Sequence, residues 1–363
     1  MRARFIAPWK DSAEKPAIYH CVSRVVDRRF AFGKEDKEQL RIYMRMYESF
    51  SGCRVLAYCF MSNHLHLLLE VPPLAVGGLT DEELLQRLGC LYNDVVVAEV
   101  AKRLKEHRQL GCEEAAGELH QHYTYRMHSL SEYMKGFLQR FTQWHNRKHE
   151  RTGGLWEDAF KSVLVEDGLA ARTMAAYIDL NPVRAGIVGD PSEYRWSSYG
   201  EAMGGGPRGN GKKAQAGLVR ALTAHKGNEA DARQWAGDVS KQYRMLLLAE
   251  GEETLQEVVN EEGKREVRVT KTGMKKEVVE AEVEQQERSR DVALGKMLRC
   301  RVRYFSDGAV LGSRAFVDGV FWAYRNRFGE KRKSGARRLR GSAAAVGVLW
   351  SARDLKKGIG DET

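Results

Sequence analysis

The stretch Asn63-His64-Leu65-His66-Leu67-Leu68-Leu69-Glu70 predicts the fold most directly, because a short apolar run after a turn is typical of a buried β-strand. Side chains alternate between the two faces of a strand, so His64 and His66 point the same way and the intervening leucines point the other way. Two imidazoles side by side on one face make half of a divalent-metal site. The alternative is that both are ordinary polar residues on a solvated sheet face. Other segments of the chain must decide between a metal site and a solvated face.

The segments around this strand predict an α+β unit. Ala17–Arg24 is rich in β-branched and aromatic residues and reads as a strand, and residues 36–50 have apolar residues at helical spacing. Arg54–Phe60 is a third extended segment, and its connection to His64–Val71 is short enough for a hairpin. The two histidines are therefore predicted on an inner or near-inner strand.

The middle of the chain is predicted to be mostly helical. Residues 79–128 form a charged, helical stretch that looks like an insertion. The other predicted elements are a helix over residues 131–149 with Ser131 as its N-cap, a fourth strand over residues 155–165, and a helix over residues 169–180 that Pro182 closes.

Composition places the chain among globular proteins. Its 363 residues suit about two domains, with 43% hydrophobic and 30% charged residues and no apolar run long enough to span a bilayer. The first residues lack the apolar core of a signal peptide, so we expect a cytoplasmic protein with no membrane partner. The six cysteines are scattered without a Cys-x-x-Cys pair, which argues against a zinc ribbon or a disulfide framework.

The positive charge is confined to one end of the chain. Residues 296–363 hold sixteen lysines and arginines against six acidic residues, a net charge of +10 that equals that of the whole chain. A confined basic segment is typical of a nucleic-acid partner, although a solvated surface that keeps the protein in solution is the alternative. A glycine-rich linker over residues 203–215 is predicted to precede a mostly helical basic extension over residues 216–363.

A second segment supplies further chemistry. Tyr177 and Asn181 are four residues apart, so they share one face of a helix, and the Asn181 side-chain oxygen can serve as a third ligand beside the two imidazoles. Tyrosine is a poor nucleophile at neutral pH, but it can act in covalent catalysis when a metal polarises the electrophile. A DNA phosphodiester is the natural electrophile, and attack would leave a phosphotyrosine and a free 3′-hydroxyl. For each residue alone, a core tyrosine or a helix-terminal asparagine is the alternative.

Together these motifs resemble the REP-associated tyrosine transposases, in the single-tyrosine branch of the HUH nucleases. The similar segments, over residues 15–202, are Asn63-His64-Leu65-His66-Leu67-Leu68, Gly153-Gly154-Leu155-Trp156 with Phe160-Lys161-Ser162, Tyr177-Ile178-Asp179-Leu180-Asn181-Pro182-Val183-Arg184-Ala185-Gly186, and Trp196-Ser197-Ser198-Tyr199. The long insertion and the extension depart from the family pattern. Within the extension, the segment from Val310 to Val317 with Phe321-Trp322 resembles a helix-turn-helix-like DNA reader.

The resemblance implies a fold and a reaction. The fold is a ferredoxin-like antiparallel sheet with helices on one face, and Mg²⁺ or Mn²⁺ is held by His64, His66 and Asn181. Tyr177 then forms a 5′-phosphotyrosine link to single-stranded or hairpin-forming DNA, so the protein would be nucleoid-associated when bound. The side chains expected to contact DNA are Lys161, Arg184, Arg140, Arg147, Arg314, Arg337 and Arg338. Both a monomer and a homodimer are compatible with the sequence.

Three other functions share some of these sequence features. A histidine-triad hydrolase would need a third alternating histidine, but position 68 is leucine. A replication or conjugation relaxase shares the His-x-His chemistry, yet the Tyr-x-x-x-Asn arrangement fits it less well. A non-catalytic DNA-binding regulator that keeps the transposase fold stays open, although the intact tyrosine, histidines and asparagine argue against it.

Overall fold

The computed structural model describes residues 5–353 except 13, 74–76, 205–210, 224–231, 236, 252–253, 260–264, 276–278, 280–302, 308 and 340–348. Residues 205–210 of the predicted linker and much of the basic tail thus lie outside the described residues. None of the described helices is long and apolar enough to cross a membrane.

Four antiparallel strands form the centre of the fold. The elements of this part, in chain order, are β1 (Ala17–Arg24), α1 (Lys34–Ser51), β2 (Arg54–Phe60), β3 (His64–Val71), α2 (Asp81–Leu88), α3 (Asp94–Gln109), α4 (Glu113–Thr124), α5 (Leu130–Lys148) and β4 (Lys161–Val165). The strand order is β2-β3-β1-β4, and every neighbouring pair among these four is antiparallel. With α1 and α5 as its connections, this βαββαβ unit has the predicted ferredoxin-like arrangement, and the predicted bounds of β1, β2 and β3 are confirmed.

The two faces of the sheet are covered differently. The leucine face, which carries Leu65, Leu67 and Leu69, packs under α1 and α5. The histidine face, which carries His64, His66 and Leu68, is covered by a further helix, α6 (Leu169–Asp179), and by later parts of the chain. Helices therefore cover both faces, whereas the resemblance implied helices on one face. The second layer forms because the apolar side chains of α6 bury the remaining apolar half of the sheet.

Three local predictions are corrected. The N-cap of α5 is Ser129, whose hydroxyl accepts from the Glu132 amide. The fourth strand begins at Lys161, and earlier in that segment Trp156 forms only an isolated bridge with Val25. The helix predicted over residues 169–180 ends one residue earlier, at Asp179, and Pro182 lies in the first turn of a separate short helix, α7 (Asn181–Arg184), where a missing amide hydrogen is tolerated.

Part of the remaining chain returns to the same sheet, and another part forms a separate two-stranded sheet. Its elements are α8 (Ser198–Gly204), α9 (Lys212–Thr223), α10 (Asp238–Gly251), β5 (Thr254–Val259), β6 (Arg265–Lys271), α11 (Arg303–Asp307), β7 (Val310–Gly312), α12 (Arg314–Ala323), β8 (Arg337–Arg338) and β9 (Trp350–Ser351). β7 pairs in parallel with β4, and β9 and β8 follow it in the same sheet. The helix-turn-helix prediction is wrong, because Val310–Gly312 is a buried strand and only the segment after Ser313 is helical.

A buried ion pair holds the extension against the centre of the fold. Arg220 of α9 is 1% exposed, and it donates to Glu70 of β3 at 2.5 Å and to Asp167 at 2.9 Å. A buried cation left without its acceptors is costly, so this contact fixes where α9 packs. The described part of the extension is therefore continuous with the layer that covers the histidine face.

Candidate active site

Strand pairing brings three histidines together on the histidine face. His66 lies opposite Val22 of β1, and His20 lies opposite Leu68 of β3. His20 and His66 are thus diagonal neighbours on the same face, a relation within reach of ring side chains. Their rings stack at 5.2 Å between centroids, and the ring of His64 lies 5.0 Å from that of His66.

A chain of hydrogen bonds sets the tautomer of His66. The Nδ1 atom of His20 lies 2.6 Å from the Phe305 carbonyl oxygen, which can only accept, so Nδ1 carries the hydrogen. The Nε2 atom of neutral His20 then accepts from Nδ1 of His66 at 3.0 Å. This leaves the lone pair of His66 on Nε2, the atom that can bind a cation.

His64 is prepared in the same way by its neighbour. Its Nδ1 lies 2.7 Å from the side-chain oxygen of Asn63, whose amide nitrogen donates to the Arg28 carbonyl. Because that oxygen accepts, His64 Nδ1 donates and Nε2 keeps the lone pair. Both imidazoles of the His-x-His pair can therefore present Nε2 to a cation.

Burial keeps these imidazoles neutral. Burial lowers the pKa of His20 to about 4 and, with the nearby Arg24, lowers the pKa of His64 to about 4. The pKa of His66 is held well below its usual value by burial first and then by the other two imidazoles. A neutral imidazole needs no deprotonation before it binds a metal.

Helix α6 places the predicted nucleophile against this cluster. The ring of Tyr177 packs edge-on against the rings of His20 and His66, with 5.9 Å between centroids in each case. The guanidinium of Arg184 lies 4.9 Å from the centroid of the Tyr177 ring. The structure thus brings together the tyrosine, the His-x-His pair and one predicted phosphate-binding arginine.

Asn181 follows α6 and fits the role of an oxygen donor. Its amide nitrogen donates to the carbonyls of Tyr177 and Ile178, each at 3.1 Å, so its oxygen is the atom it can offer a cation. Two imidazole nitrogens and one amide oxygen form a donor set that suits a divalent cation. In donor chemistry, these residues are compatible with the Mg²⁺ or Mn²⁺ that the resemblance implies.

The extension covers the tyrosine. Phe305 of α11 stacks on the ring of Tyr177 at 4.6 Å with 15° between the ring planes, and Tyr177 is 3% exposed. The carbonyl of the same residue is the acceptor for His20. Phe305 therefore covers one face of the Tyr177 ring.

The Trp196-Ser197-Ser198-Tyr199 motif holds α6 in place. Buried Asp179, two residues after the tyrosine, accepts from the Tyr199 amide at 2.9 Å and from the Tyr243 hydroxyl at 2.6 Å. Burial raises the pKa of Asp179 to about 7 despite these hydrogen bonds. The motif therefore positions the helix.

The predicted DNA contacts separate into groups. Lys161 is exposed at the start of β4, in register with Val22 and hence in one row with His66 on the histidine face. Arg140 lies on the leucine face, where it donates to the Leu91 carbonyl and lies over the Tyr43 ring. That position gives it a role in packing the insertion and keeps it away from Tyr177.

The remaining predicted DNA contacts lie on α5, α12 and β8. Arg147 is exposed on α5, and Arg314 is exposed at the start of α12 beside Asp318. Arg337 and Arg338 form the short outer strand β8, where Arg337 donates to Ser334. Among the predicted arginines, only Arg184 contacts the tyrosine in the described part of the chain.

Two site residues were not identified from the sequence. The sequence predicts only that His20 lies in a strand. Alternation along β1 places it on the same face as His66 once β1 is known to pair with β3. Phe305 lies 285 residues after His20, and no local pattern predicts that contact.

Comparisons with known proteins support part of the resemblance inferred from the sequence. Residues 14–76 match the family model described as IS200-like transposases, which confirms the resemblance for a segment that holds His20, His64 and His66. No curated protein matches the sequence. Among solved structures, the chain is similar to a REP-associated tyrosine transposase bound to a REP hairpin, with 12% identity, a TM-score of 0.34, and coverage of 56% of this chain and 84% of that chain.

Proposed function

We propose that this chain is a metal-dependent single-stranded DNA endonuclease and strand transferase, a transposase whose nucleophile is Tyr177. The observation that carries the proposal is the contact of the Tyr177 ring with the imidazole cluster, at 5.9 Å from both His20 and His66. A metal-assisted phosphotyrosine reaction requires a tyrosine close to the metal donors, and the Tyr177 ring contacts His66, one of the two prepared donors.

The reaction is a transfer of one phosphodiester bond. The Tyr177 oxygen forms a bond to phosphorus while the bond from phosphorus to the 3′ oxygen breaks, and the proton of the tyrosine ends on the released 3′ oxygen through solvent. His64, His66 and Asn181 would hold Mg²⁺ or Mn²⁺, which polarises the scissile phosphate when bound. The product is a 5′-phosphotyrosine, which a later 3′-hydroxyl can attack to join strands.

Basic side chains would orient the DNA. Arg184 lies over the Tyr177 ring and can pair with a phosphate oxygen at that point. Lys161, on the same face of the sheet, can hold the strand farther along. A hairpin-forming single strand is the substrate class that the sequence resemblance favours.

End-labelled substrates test the proposal. A hairpin-bearing single strand labelled at its 3′ end should yield a protein-linked label in denaturing gels with Mn²⁺, whereas a 5′ label should leave on a free fragment. Tyr177→Phe should lose the adduct and keep DNA binding, because only the attacking hydroxyl is removed. Tyr125→Phe, at a tyrosine that is 60% exposed, is the matched control and should keep the adduct. An adduct that persists in Tyr177→Phe would contradict the assignment.

A second function is favoured by one observation. Tyr177 is 3% exposed beneath Phe305, as expected if the chain binds DNA as a regulator without cutting it. In that case the unmodified chain would bind the hairpin and form no adduct under any metal condition.

A further inference from the structure

A second group of metal-ligating side chains lies on the leucine-face side of the sheet. Asp36 is in the first turn of α1, His145 is in the last turn of α5, and His149 caps α5. A carboxylate oxygen of Asp36 and one nitrogen of each ring all lie within 4.8 Å of one another. No other group of three His, Cys, Asp or Glu side chains has this spacing in the part of the chain that the structure describes.

The spacing on α5 is that of helical zinc sites. His145 and His149 are four residues apart, so both rings project from one side of the helix, and their centroids are 4.2 Å apart. A pair of histidines at this interval is a recurrent way for a helix to bind Zn²⁺.

His145 carries a lone pair that no described group uses. The side chain is buried, and its Nε2 lies 3.3 Å from the Ala31 carbonyl oxygen, which can only accept. Nε2 therefore carries the hydrogen, and the lone pair is on Nδ1, which is buried without a hydrogen-bond partner among the described residues. A buried polar atom left unsatisfied calls for a partner, and a cation would supply one.

Asp36 already pairs with three N–H groups at this position, on a ring, an ammonium and a backbone amide. Its Oδ1 lies 2.8 Å from His149 Nε2 and 3.2 Å from the Lys148 ammonium, and its Oδ2 accepts from the Gly33 amide at 2.8 Å. Lys148 also lies 2.8 Å from a Glu35 oxygen, so it has a second carboxylate to which it can move. The Asp36 carboxylate thus lies where a metal ion could replace the N–H groups that it now accepts.

We infer that Asp36, His145 and His149 form a Zn²⁺ site, separate from the histidine face, that joins the start of α1 to the end of α5. Two imidazole nitrogens and one carboxylate oxygen are a zinc donor set, and water would complete the four ligands. Binding moves the hydrogen of His149 from Nε2 to Nδ1 through solvent, so that the lone pair on Nε2 can bind the metal, and Lys148 then pairs with Glu35.

Zinc titration of the full chain tests this site. The background chain carries His64→Ala and His66→Ala, so that the histidine face no longer binds, and Zn²⁺ is titrated against a chromogenic chelator. We expect one bound Zn²⁺, at least tenfold weaker binding after His149→Ala, and tighter binding after Lys148→Ala, because that variant removes a competing cation. Zn²⁺ should also raise the melting temperature of the background chain and leave that of the His149→Ala chain unchanged.

His122→Ala is the matched control, because His122 is exposed and lies outside the cluster. It should bind Zn²⁺ as the background chain does. Absence of zinc binding in the background chain would overturn the inference. Equal affinities in His149→Ala and His122→Ala, or no tightening in Lys148→Ala, would overturn it as well.

Discussion

The two faces of the sheet use histidine in different ways. On the histidine face, the rings of His20, His64 and His66 are neutral, and their partners are neutral acceptors or other rings. On the leucine-face side, His149 is paired with a carboxylate, that of Asp36. A cation bound among neutral rings keeps its full charge for a phosphate, whereas one bound by a carboxylate is partly neutralised.

The faces also differ in what covers them. The leucine face is closed by α1 and α5, which belong to the βαββαβ unit itself. The histidine face is covered by α6 and by distant segments, including Phe305. Changes in the extension should therefore alter the histidine face first.

The largest expected effect is the loss of a proposed ligand. His66→Ala should abolish cleavage and metal dependence together, because one imidazole nitrogen is removed from the site. Cleavage of hairpin DNA would be measured over a range of Mn²⁺ concentrations, with His122→Ala as the exposed-histidine control. Cleavage that persists in His66→Ala would contradict the proposal that the histidine face holds the metal needed for cleavage.

His20 should matter through His66. His20→Leu breaks the hydrogen-bond chain that sets the His66 tautomer, and we expect metal affinity to fall by about 10- to 100-fold. His20→Gln can donate to the Phe305 carbonyl and accept from His66, so it should restore part of that affinity. Calorimetry would give the affinities, and nitrogen NMR of the metal-free protein would report the tautomer of His66. An unchanged tautomer in His20→Leu would exclude a positioning role.

Removing the cover over Tyr177 should speed cleavage. Ring stacking contributes about 0.5–1.5 kcal/mol, so Phe305→Ala should raise the cleavage rate by about two- to tenfold. Trp322→Ala, at a ring that is 59% exposed, is the control and should have no effect. A slower Phe305→Ala chain would mean that this ring supports the reaction.

The last expected effect concerns stability and not cleavage, and it is a pH dependence on the histidine face. Burial raises the folded-state pKa of Asp179 to about 7 from its usual 3.8, so its stabilising contribution is complete below the unfolded value and is lost as pH rises through about 7. The stability advantage of the unmodified chain over Asp179→Asn should therefore shrink between about pH 4 and pH 8. Urea unfolding at each pH measures it, and a constant difference would contradict the assignment.

Alternation along one strand made the central part of the site predictable. The run from Asn63 to Glu70 predicted both the strand and the shared face of His64 and His66, and β3 has the predicted bounds. The partner of His66 was not predicted, because it depends on the register that sets His20 opposite Leu68. Register is a property of the folded sheet and cannot be derived from either strand alone.

Contacts between distant segments account for the remaining differences. Phe305 reaches Tyr177 because β7 pairs with β4, and α11, which precedes β7, packs against β4 and β1. In the same way, Asp36 meets His149 across 113 residues, although the spacing of the two α5 histidines is visible in the sequence. Spacing within one element was predictable, and the resemblance predicted that Tyr177 meets His66, whereas the contacts made by His20 and Phe305 were not predicted.

Identifying the residue that becomes attached to DNA tests the central claim most directly. After reaction with hairpin single-stranded DNA and Mn²⁺, the adduct would be digested with nuclease and trypsin and analysed by mass spectrometry. We predict a nucleotide phosphate on the tryptic peptide of residues 173–184, which holds Tyr177 as its one tyrosine. A phosphate on any other residue, or no adduct from the unmodified chain, would contradict the account.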